Sequence, residues 1–163
     1  MKQGNWKRQE IVDVLMQHEH CVGELYRCYA ESQPDREDFW LRLAGEEDEH
    51  AEAIKLLGQK VGGRDAFFRP GRFRYEEVKE SLDALEKEID GARDKGNSWK
   101  DALEAALQLE DKMMEKRFFE VVRGDSPVLQ GVLRKIKKET GEHRDRLRSA
   151  LEKAEHDRGS EAA

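Results

Sequence analysis

The chain has 163 residues, of which 40% are charged and 37% hydrophobic, and its formal net charge is −6 at pH 7. This length suits one domain with a real hydrophobic core, and the negative charge disfavours nucleic acid and anionic membranes as main partners. A high charged fraction with only three prolines is typical of long amphipathic helices rather than of a sheet protein. We therefore expect an all-α domain.

No apolar, signal-type segment follows Met1, and no uncharged run approaches the ~20 residues that a bilayer span requires. The expectation is a cytoplasmic protein with no membrane and no nucleic-acid partner. Cys21 and Cys28 lie on one predicted helix, about 10 Å apart by helical rise, which is too far for a disulfide within that helix. The chain has no Cys-x-x-Cys pair, which excludes a zinc or rubredoxin-type site built from such pairs.

The first predicted helix spans about residues 5–31. Its inward-facing stripe is apolar except for His18. The segment that follows has the signals of a second helix, with Ser32 as the N-terminal cap and Pro34 in the first turn. We expect this second helix to stop at Gly58, because glycine commonly follows the last helical residue.

The second predicted helix carries two ionisable residues within its apolar face. At spacings of three and four residues, the stripe comprises Trp40, Leu43, Glu47, His50, Ile54 and Leu57. Glu47 and His50 are therefore one turn apart in the middle of a buried face. Burying such a pair is unfavourable unless something compensates it, and a metal ion is one such partner.

A long crossover follows the second helix. Residues 58–74 contain the breakers Gly62-Gly63 and Pro70-Gly71 and are predicted to be irregular. Interleaved aromatic and arginine side chains in this segment would suit nucleic acid, but the acidic chain favours a loop packed over the helices or at a dimer contact. The aromatic residues of this segment are Phe67, Phe68 and Phe73. A further helix is predicted at Tyr75–Lys95, ending at Gly96.

The next predicted helix begins after Ser98. Asp101 lies three residues beyond this serine, which resembles a capping box. The helix is expected to extend to about Arg123, with Phe118 and Val121 also facing inward. Glu110 lies in the middle of its apolar stripe, much as Glu47 does in the second helix.

The last predicted helix opens at Pro127 and carries Thr140 and His143 within its stripe. The polar tail at 153–163 is expected to fray. The chain is thus predicted to be a single domain, with a first hairpin at about 6–58, a crossover at 59–96 and a second hairpin at about 98–152.

An internal repeat relates the two hairpins. A gap-free offset of 93 residues places Pro34 on Pro127, Leu43 on Ile136, Glu46 on Glu139 and His50 on His143. Two such hairpins joined by a long crossover form a four-helix bundle of ferritin-like topology. The extra helix lies within the crossover.

The repeat also shows where the halves differ, since Glu47 aligns with Thr140 and Glu110 aligns with Gln17. A symmetric di-metal site takes a Glu from each of two helices and a Glu-x-x-His from each of the others. The candidate metal ligands are therefore Glu47, His50, Glu110 and His143. Weaker candidates near the two departures are Gln17, His18, Glu24, Glu139 and Thr140.

Three segments carry a family resemblance: LAGEEDEHAE at 43–52, ALQLEDKMMEKRFFEVV at 106–122 and KKETGEHRDRL at 137–147. With the crossover, they resemble the rubrerythrin-like branch of the ferritin-like, di-iron carboxylate superfamily over roughly residues 7–155. The resemblance implies that Glu47 bridges two ions, that His50 and His143 are terminal ligands and that Glu110 is a terminal carboxylate.

The resemblance further implies iron or manganese, and oxygen chemistry, peroxide chemistry or iron storage. The rubredoxin module that peroxidase members often carry is absent from this sequence, so an enzyme of this type would need an external electron donor. The departures at Gln17 and Thr140 leave open whether the site holds two ions, one ion or a vestige of the site. Zinc is also compatible with these donors.

Two alternatives remain open. The buried polar residues would also suit a metal-free, hydrogen-bonded network inside a helical bundle that serves as a dimerisation or interaction module. A hemerythrin-like oxygen or metal binder is a weaker alternative, because it would need a richer histidine set than the five present. A homodimer is expected both for a rubrerythrin-like protein and for a metal-free module.

Overall fold

A computed structural model describes residues 8–60, 66–68, 75–115, 122–124 and 127–161. Within these residues the chain is almost entirely helical, as its composition predicts. Its helices are α1 (Arg8–Ser32), α2 (Glu37–Lys60), α3 (Tyr75–Lys95), α4 (Trp99–Glu115) and α5 (Pro127–Glu161). A single 3-10 turn, Pro34–Arg36, connects α1 to α2, and two three-residue strands complete the described elements.

The helices pack mainly in pairs. α1 lies along α2, α4 lies along α5, and α3 packs against α1. α2 also meets α5, so both pairs contribute to one interior. None of the described helices combines the length and the apolar character that crossing a bilayer requires.

An aromatic cluster fills one end of this interior. Trp40 is fully buried, with its ring centroid 4.8 Å from that of Tyr29 and 5.7 Å from that of Trp99. The indole N–H of Trp40 donates to Gln33 Oε1 at 2.9 Å, and Gln33 Nε2 donates to the Asn97 carbonyl at 2.9 Å. The α1–α2 turn is thereby tied to the α3–α4 turn, which fixes the ends of both helix pairs.

Helix α3 has the bounds that the sequence predicts. It ends before Gly96, whose φ of +65° lies in the left-handed region that glycine adopts without a steric penalty. Ser98 caps α4 as predicted, because its Oγ accepts the Asp101 backbone N–H at 3.1 Å.

Two predicted boundaries around α2 are wrong. Ser32 is the last residue of α1 and donates to the Tyr29 carbonyl, while the 3-10 turn that contains Pro34 comes between it and α2. At the other end, α2 continues through Gly58 to Lys60. A glycine inside a helix costs only about 1 kcal/mol relative to alanine, which neighbouring helix-forming residues outweigh.

Two short strands lie where the sequence predicts an irregular loop and the end of a helix. The helix predicted to reach about Arg123 does not include that residue, because Arg123 lies in strand β2 (Val122–Gly124), which pairs antiparallel with β1 (Ala66–Phe68). Phe67 and Phe68 therefore lie in a strand rather than in an irregular loop. The inward positions predicted for Phe118 and Val121, and the rest of the aromatic loop at 61–65 and 69–74, lie outside the described residues.

Helix α5 also extends beyond its predicted end. The fraying expected from Lys153 is wrong, since the helix continues to Glu161. Residues 153–158 contain no glycine or proline and are mostly good helix formers, so nothing in this segment interrupts the backbone hydrogen bonds.

Candidate metal centre

Two residues of the centre lie on α2. Glu47 and His50 are one turn apart on the face that also carries Leu43 and Ile54. Those apolar neighbours pack in the core, so both polar side chains are held in the interior, with 1% of Glu47 and 2% of His50 exposed. The sequence pattern thus places a carboxylate and an imidazole where water does not reach them.

Glu47 lies between two imidazoles. Its Oε1 is 2.8 Å from Nδ1 of His143 on α5, and its Oε2 is 3.4 Å from Nδ1 of His50. The two rings are stacked, with centroids 5.4 Å apart and an interplanar angle of 18°. A single carboxylate therefore contacts the inward-facing nitrogen of both histidines.

Two further carboxylates complete the centre. Glu19 on α1 has its Oε2 3.9 Å from His50 Nδ1, and Glu110 on α4 has its Oε1 3.7 Å from His143 Nδ1. The side chains form two groups, Glu19–Glu47–His50 and Glu47–Glu110–His143, and within each group the donor atoms lie within 4.8 Å of one another. Glu47 belongs to both groups.

The outward-facing nitrogens of both imidazoles meet other carboxylates. His50 Nε2 is hydrogen-bonded to Glu139 Oε2 at 2.7 Å. His143 Nε2 lies 2.9 Å from Glu46 Oε2, an ion-pair contact without the alignment of a hydrogen bond. Each ring thus directs Nδ1 towards Glu47 and Nε2 towards a partly exposed carboxylate.

The surroundings of the three buried carboxyl groups raise the pKa of two of them and lower the pKa of the third. Burial raises the pKa of Glu19 well above its ordinary value, and repulsion from Glu47 raises it further. Burial and Glu47 also raise the pKa of Glu110, to about 6, although His143 and Tyr26 oppose the shift. Burial would also raise the pKa of Glu47. Side-chain interactions with the protonated Glu19 carboxyl and with the His143 and His50 imidazoles stabilise the Glu47 carboxylate instead, and they hold its pKa well below the ordinary value.

The imidazoles respond to these charges. Burial by itself would lower the pKa of His143, but the carboxylates of Glu110 and Glu47 raise it to about 10. The pKa of His50 is also raised, because Glu47 and Glu139 outweigh its burial. In the absence of a cation, these shifts favour the protonated forms of His50, His143 and Glu19. A bound cation would have to displace these protons.

Several donor atoms in the centre have no hydrogen-bond partner among the residues that the structure describes. They are Oε2 of Glu19, Glu47 and Glu110 and Nδ1 of His50. Some of these atoms are in ion-pair contact, but buried polar atoms without a hydrogen bond are unfavourable, and an ion that binds several of them would compensate. The fit is chemical as well as spatial, because carboxylate oxygen and imidazole nitrogen together suit iron, manganese or zinc.

One buried hydroxyl supports the centre from outside the donor set. The Tyr26 O–H donates to Glu110 Oε1 at 2.6 Å, and both side chains are fully buried. This bond satisfies one oxygen of Glu110 and fixes its orientation, while Oε2 remains available.

Three of the weaker sequence candidates lie elsewhere. His18 is buried on α1 but contacts Ser81 Oγ through Nε2 at 2.8 Å. Glu24 is partly exposed and accepts a hydrogen bond from Arg93 at 2.7 Å. Gln17 is exposed. The structure therefore places none of these three in the donor set.

The other two weaker candidates lie near the centre without joining the donor set. Thr140 is buried, but its Oγ1 donates to the Ile136 carbonyl at 2.9 Å, within its own helix. Glu139 meets His50 at Nε2, the nitrogen directed away from Glu47. The position that aligns with Glu47 in the repeat therefore contributes no carboxylate.

Sequence reasoning missed Glu19. The repeat aligned Gln17 with Glu110, whereas the carboxylate that enters the centre lies two residues further along α1. A signal was present, because Leu15, Glu19, Val22 and Tyr26 follow one another at helical spacings of four, three and four residues.

Comparisons with protein-family models, with curated proteins and with solved structures return no match to this chain.

Proposed function

We propose that this chain is a ferritin-like four-helix protein that binds transition-metal ions, iron foremost, between α1, α2, α4 and α5. In this proposal the protein uses the metal in oxygen or peroxide chemistry or in iron handling, as rubrerythrin-like proteins do. The observation that carries the proposal is the group of buried carboxylate and imidazole atoms around Glu47, several without a hydrogen-bond partner among the described residues, with Glu47 belonging to both three-residue groups.

The distribution of the donors supports the ferritin-like assignment. Each of the four helices contributes: Glu19 from α1, Glu47 and His50 from α2, Glu110 from α4 and His143 from α5. Carboxylate and histidine side chains projecting inward from four helices are the pattern of metal centres in helical bundles of this kind. Helix α3 lies within the crossover between the two pairs.

Each donor has a distinct role in this proposal. Glu47 would bridge two ions, with Glu19 and His50 on one side and Glu110 and His143 on the other. A bound iron ion would supply a Lewis acid and a redox couple. The chain itself excludes water from the donors, and Tyr26 orients Glu110 through its hydrogen bond. Turnover would require electrons from an external donor.

Thr140 limits the number of carboxylates that the centre can contain. A symmetric centre has a second bridging carboxylate, and Thr140 takes that position in the repeat. The centre proposed here therefore has three carboxylates and two imidazoles. Glu47 is its one protein bridge.

Metal content after purification tests the proposal. Protein produced with added iron is purified aerobically, and the ions per chain are measured by elemental analysis. We expect the wild type to retain iron and Glu47→Gln to lose it. His18→Gln and Glu24→Gln are matched controls, because they replace a buried histidine and a carboxylate outside the donor set. A folded wild type with no more iron than Glu47→Gln would overturn the proposal.

Peroxide consumption with an added electron donor distinguishes a metal-dependent protein from a metal-free dimerisation module. The proposal predicts iron-dependent turnover or iron uptake that Glu110→Gln reduces. A metal-free dimerisation module would show neither, although its mass by light scattering would still correspond to a homodimer. We also propose that the wild-type protein is a homodimer, and the same mass measurement tests this.

A further inference from the structure

Glu46 and Glu139 occupy equivalent positions in the two halves of the chain. Each precedes a histidine of the centre by four residues on its own helix, His50 on α2 and His143 on α5. Their contacts, however, are crossed between helices. Glu46 lies 2.9 Å from His143 Nε2, and Glu139 lies 2.7 Å from His50 Nε2.

The crossed contacts have the symmetry of two antiparallel helices. Moving from Glu46 to His50 along α2 corresponds to moving backwards from His143 to Glu139 along α5. A local two-fold relation between the helices therefore gives each histidine the carboxylate of the opposite half. The centre keeps this relation although Thr140 breaks the equivalence at Glu47.

The flanking charges repeat in the same way. Arg42 Nε lies 3.8 Å from Glu46 Oε1, and Lys135 Nζ lies 3.8 Å from Glu139 Oε1, each cation being four residues before its carboxylate. Arg146 also contacts Glu46. Both carboxylates are thus held at the edge of the centre by cations, with about a quarter of each side chain exposed.

Imidazole chemistry gives these contacts a consequence. A neutral imidazole carries one proton, and an ion bound at Nδ1 leaves that proton on Nε2. With Nε2–H directed at Glu139 or Glu46, the lone pair of Nδ1 is left for an ion held beside Glu47. Histidines that bind metals commonly have the second nitrogen fixed in this way.

We infer that Glu46 and Glu139 are positioning residues that orient the histidine of the opposite half, and that Glu139 does not replace the bridging carboxylate missing at Thr140. The inference builds on the proposed metal centre. It predicts a crossed dependence, in which a change on α2 affects the imidazole on α5 and a change on α5 affects the imidazole on α2.

Side-chain ¹⁵N NMR of histidine provides the test, with zinc as a diamagnetic probe ion. In zinc-loaded Glu46→Leu, we expect the Nε2–H signal of His143 to broaden through solvent exchange while that of His50 persists. In Glu139→Leu, the two histidines should exchange these behaviours. Zinc affinity should fall by roughly 10–100-fold in either leucine variant.

Conservative and remote variants sharpen the test. Glu46→Gln and Glu139→Gln keep an oxygen that accepts from Nε2–H, so they should retain the Nε2–H signals and most of the affinity. Glu49→Leu and Glu142→Leu are matched controls, because both are exposed and equivalent in the repeat. Circular dichroism confirms that each variant is folded.

Three results would overturn the inference: an uncrossed pattern, glutamine variants as defective as leucine variants, or Glu139→Leu losing one bound zinc with the His50 signal unchanged. Failure of the metal proposal itself would be distinct, because the wild type would then bind no zinc. The Nε2–H signals of the metal-free wild type and leucine variants would still show whether the crossed contacts position the rings.

Discussion

Glu47 Oε1 lies 2.8 Å from Nδ1 of His143, a residue 96 positions later in the chain. The other oxygen of Glu47 is 3.4 Å from Nδ1 of His50 on the same helix. Because one side chain contacts both imidazoles, its loss should affect the whole centre, whereas loss of Glu19 or Glu110 should affect one side of it.

The first prediction concerns stabilisation by metal. An ion that binds only the folded chain at 100 times its Kd stabilises it by about 2.7 kcal/mol, which for this chain length corresponds to a rise in Tm of roughly 5–11 °C. We expect zinc or manganese to raise the Tm of the wild type, and a chelator to reverse the rise. Differential scanning calorimetry provides the measurement.

In the same experiment, Glu47→Gln should show no metal-dependent shift, while Glu24→Gln should behave as the wild type does. Equal shifts in Glu47→Gln and the wild type would mean that the ion binds elsewhere on this acidic chain.

The second prediction concerns pH. The pKa of His143 is raised to about 10 in the folded protein from an ordinary value of 6.5. A raised folded-state pKa means that protonation stabilises the fold, fully below the ordinary value and progressively less as the pH rises towards 10. The free energy of unfolding of the metal-free protein should therefore fall over this interval, as measured by urea denaturation with a chelator present.

Metal affinity should have the opposite pH dependence, because each ion displaces protons from the imidazoles and carboxyls. Titration calorimetry in buffers of different ionisation enthalpy would count the protons released. In His143→Gln, the decline in metal-free stability between pH 6.5 and 10 should be reduced. An unchanged decline would assign it to other groups.

Much of this arrangement follows from helical periodicity. Glu47, His50, Glu110 and His143 can be selected from the sequence because each interrupts an apolar stripe, and a stripe faces the interior. The bounds of α3 and the cap at Ser98 also follow from local signals, since a capping hydroxyl and a left-handed glycine act within a few residues.

The features that the sequence did not reveal depend on departures from symmetry or on contacts between distant segments. Alignment of the halves led to Gln17 because it assumes that both helices enter the centre in the same register, whereas Glu19 enters it in the structure. The pairing of Phe67 with Arg123 joins segments 56 positions apart, and neither segment has a local pattern that requires it. The outer role of Glu139 depends likewise on the packing of α2 against α5.

The third prediction concerns the missing bridge. Thr140→Glu would add a carboxylate near three others in a dry interior, and an uncompensated buried charge destabilises a protein by about 3–5 kcal/mol. We expect this loss in the metal-free protein and a substantial recovery with zinc or manganese, because the new carboxylate can bind the ions. Urea denaturation with and without metal measures both quantities.

Thr140→Val is the control for this substitution. It removes the hydroxyl that donates to the Ile136 carbonyl, and the expected effect is about 1 kcal/mol at most, with no dependence on metal. Equal destabilisation of Thr140→Glu with and without metal would show that position 140 does not face bound ions.

The fourth prediction compares two buried tyrosines on α1. The Tyr26 hydroxyl donates to Glu110 at 2.6 Å, whereas that of Tyr29 has no hydrogen-bond partner among the described residues. Tyr26→Phe leaves a buried carboxyl oxygen without its donor, which should cost about 1–3 kcal/mol in the free energy of unfolding. Tyr29→Phe removes a hydroxyl that satisfies no described group and should be nearly neutral.

The Tyr26 variant should also bind metal more weakly near pH 6. Tyr26 lowers the pKa of Glu110, which is about 6 with the hydroxyl present, so its removal makes the carboxyl retain its proton more strongly in competition with the ion. At pH 8 the difference in zinc affinity from the wild type should be smaller. If Tyr26→Phe and Tyr29→Phe were equally stable and bound zinc with the same pH dependence, the Tyr26–Glu110 hydrogen bond would not support the centre.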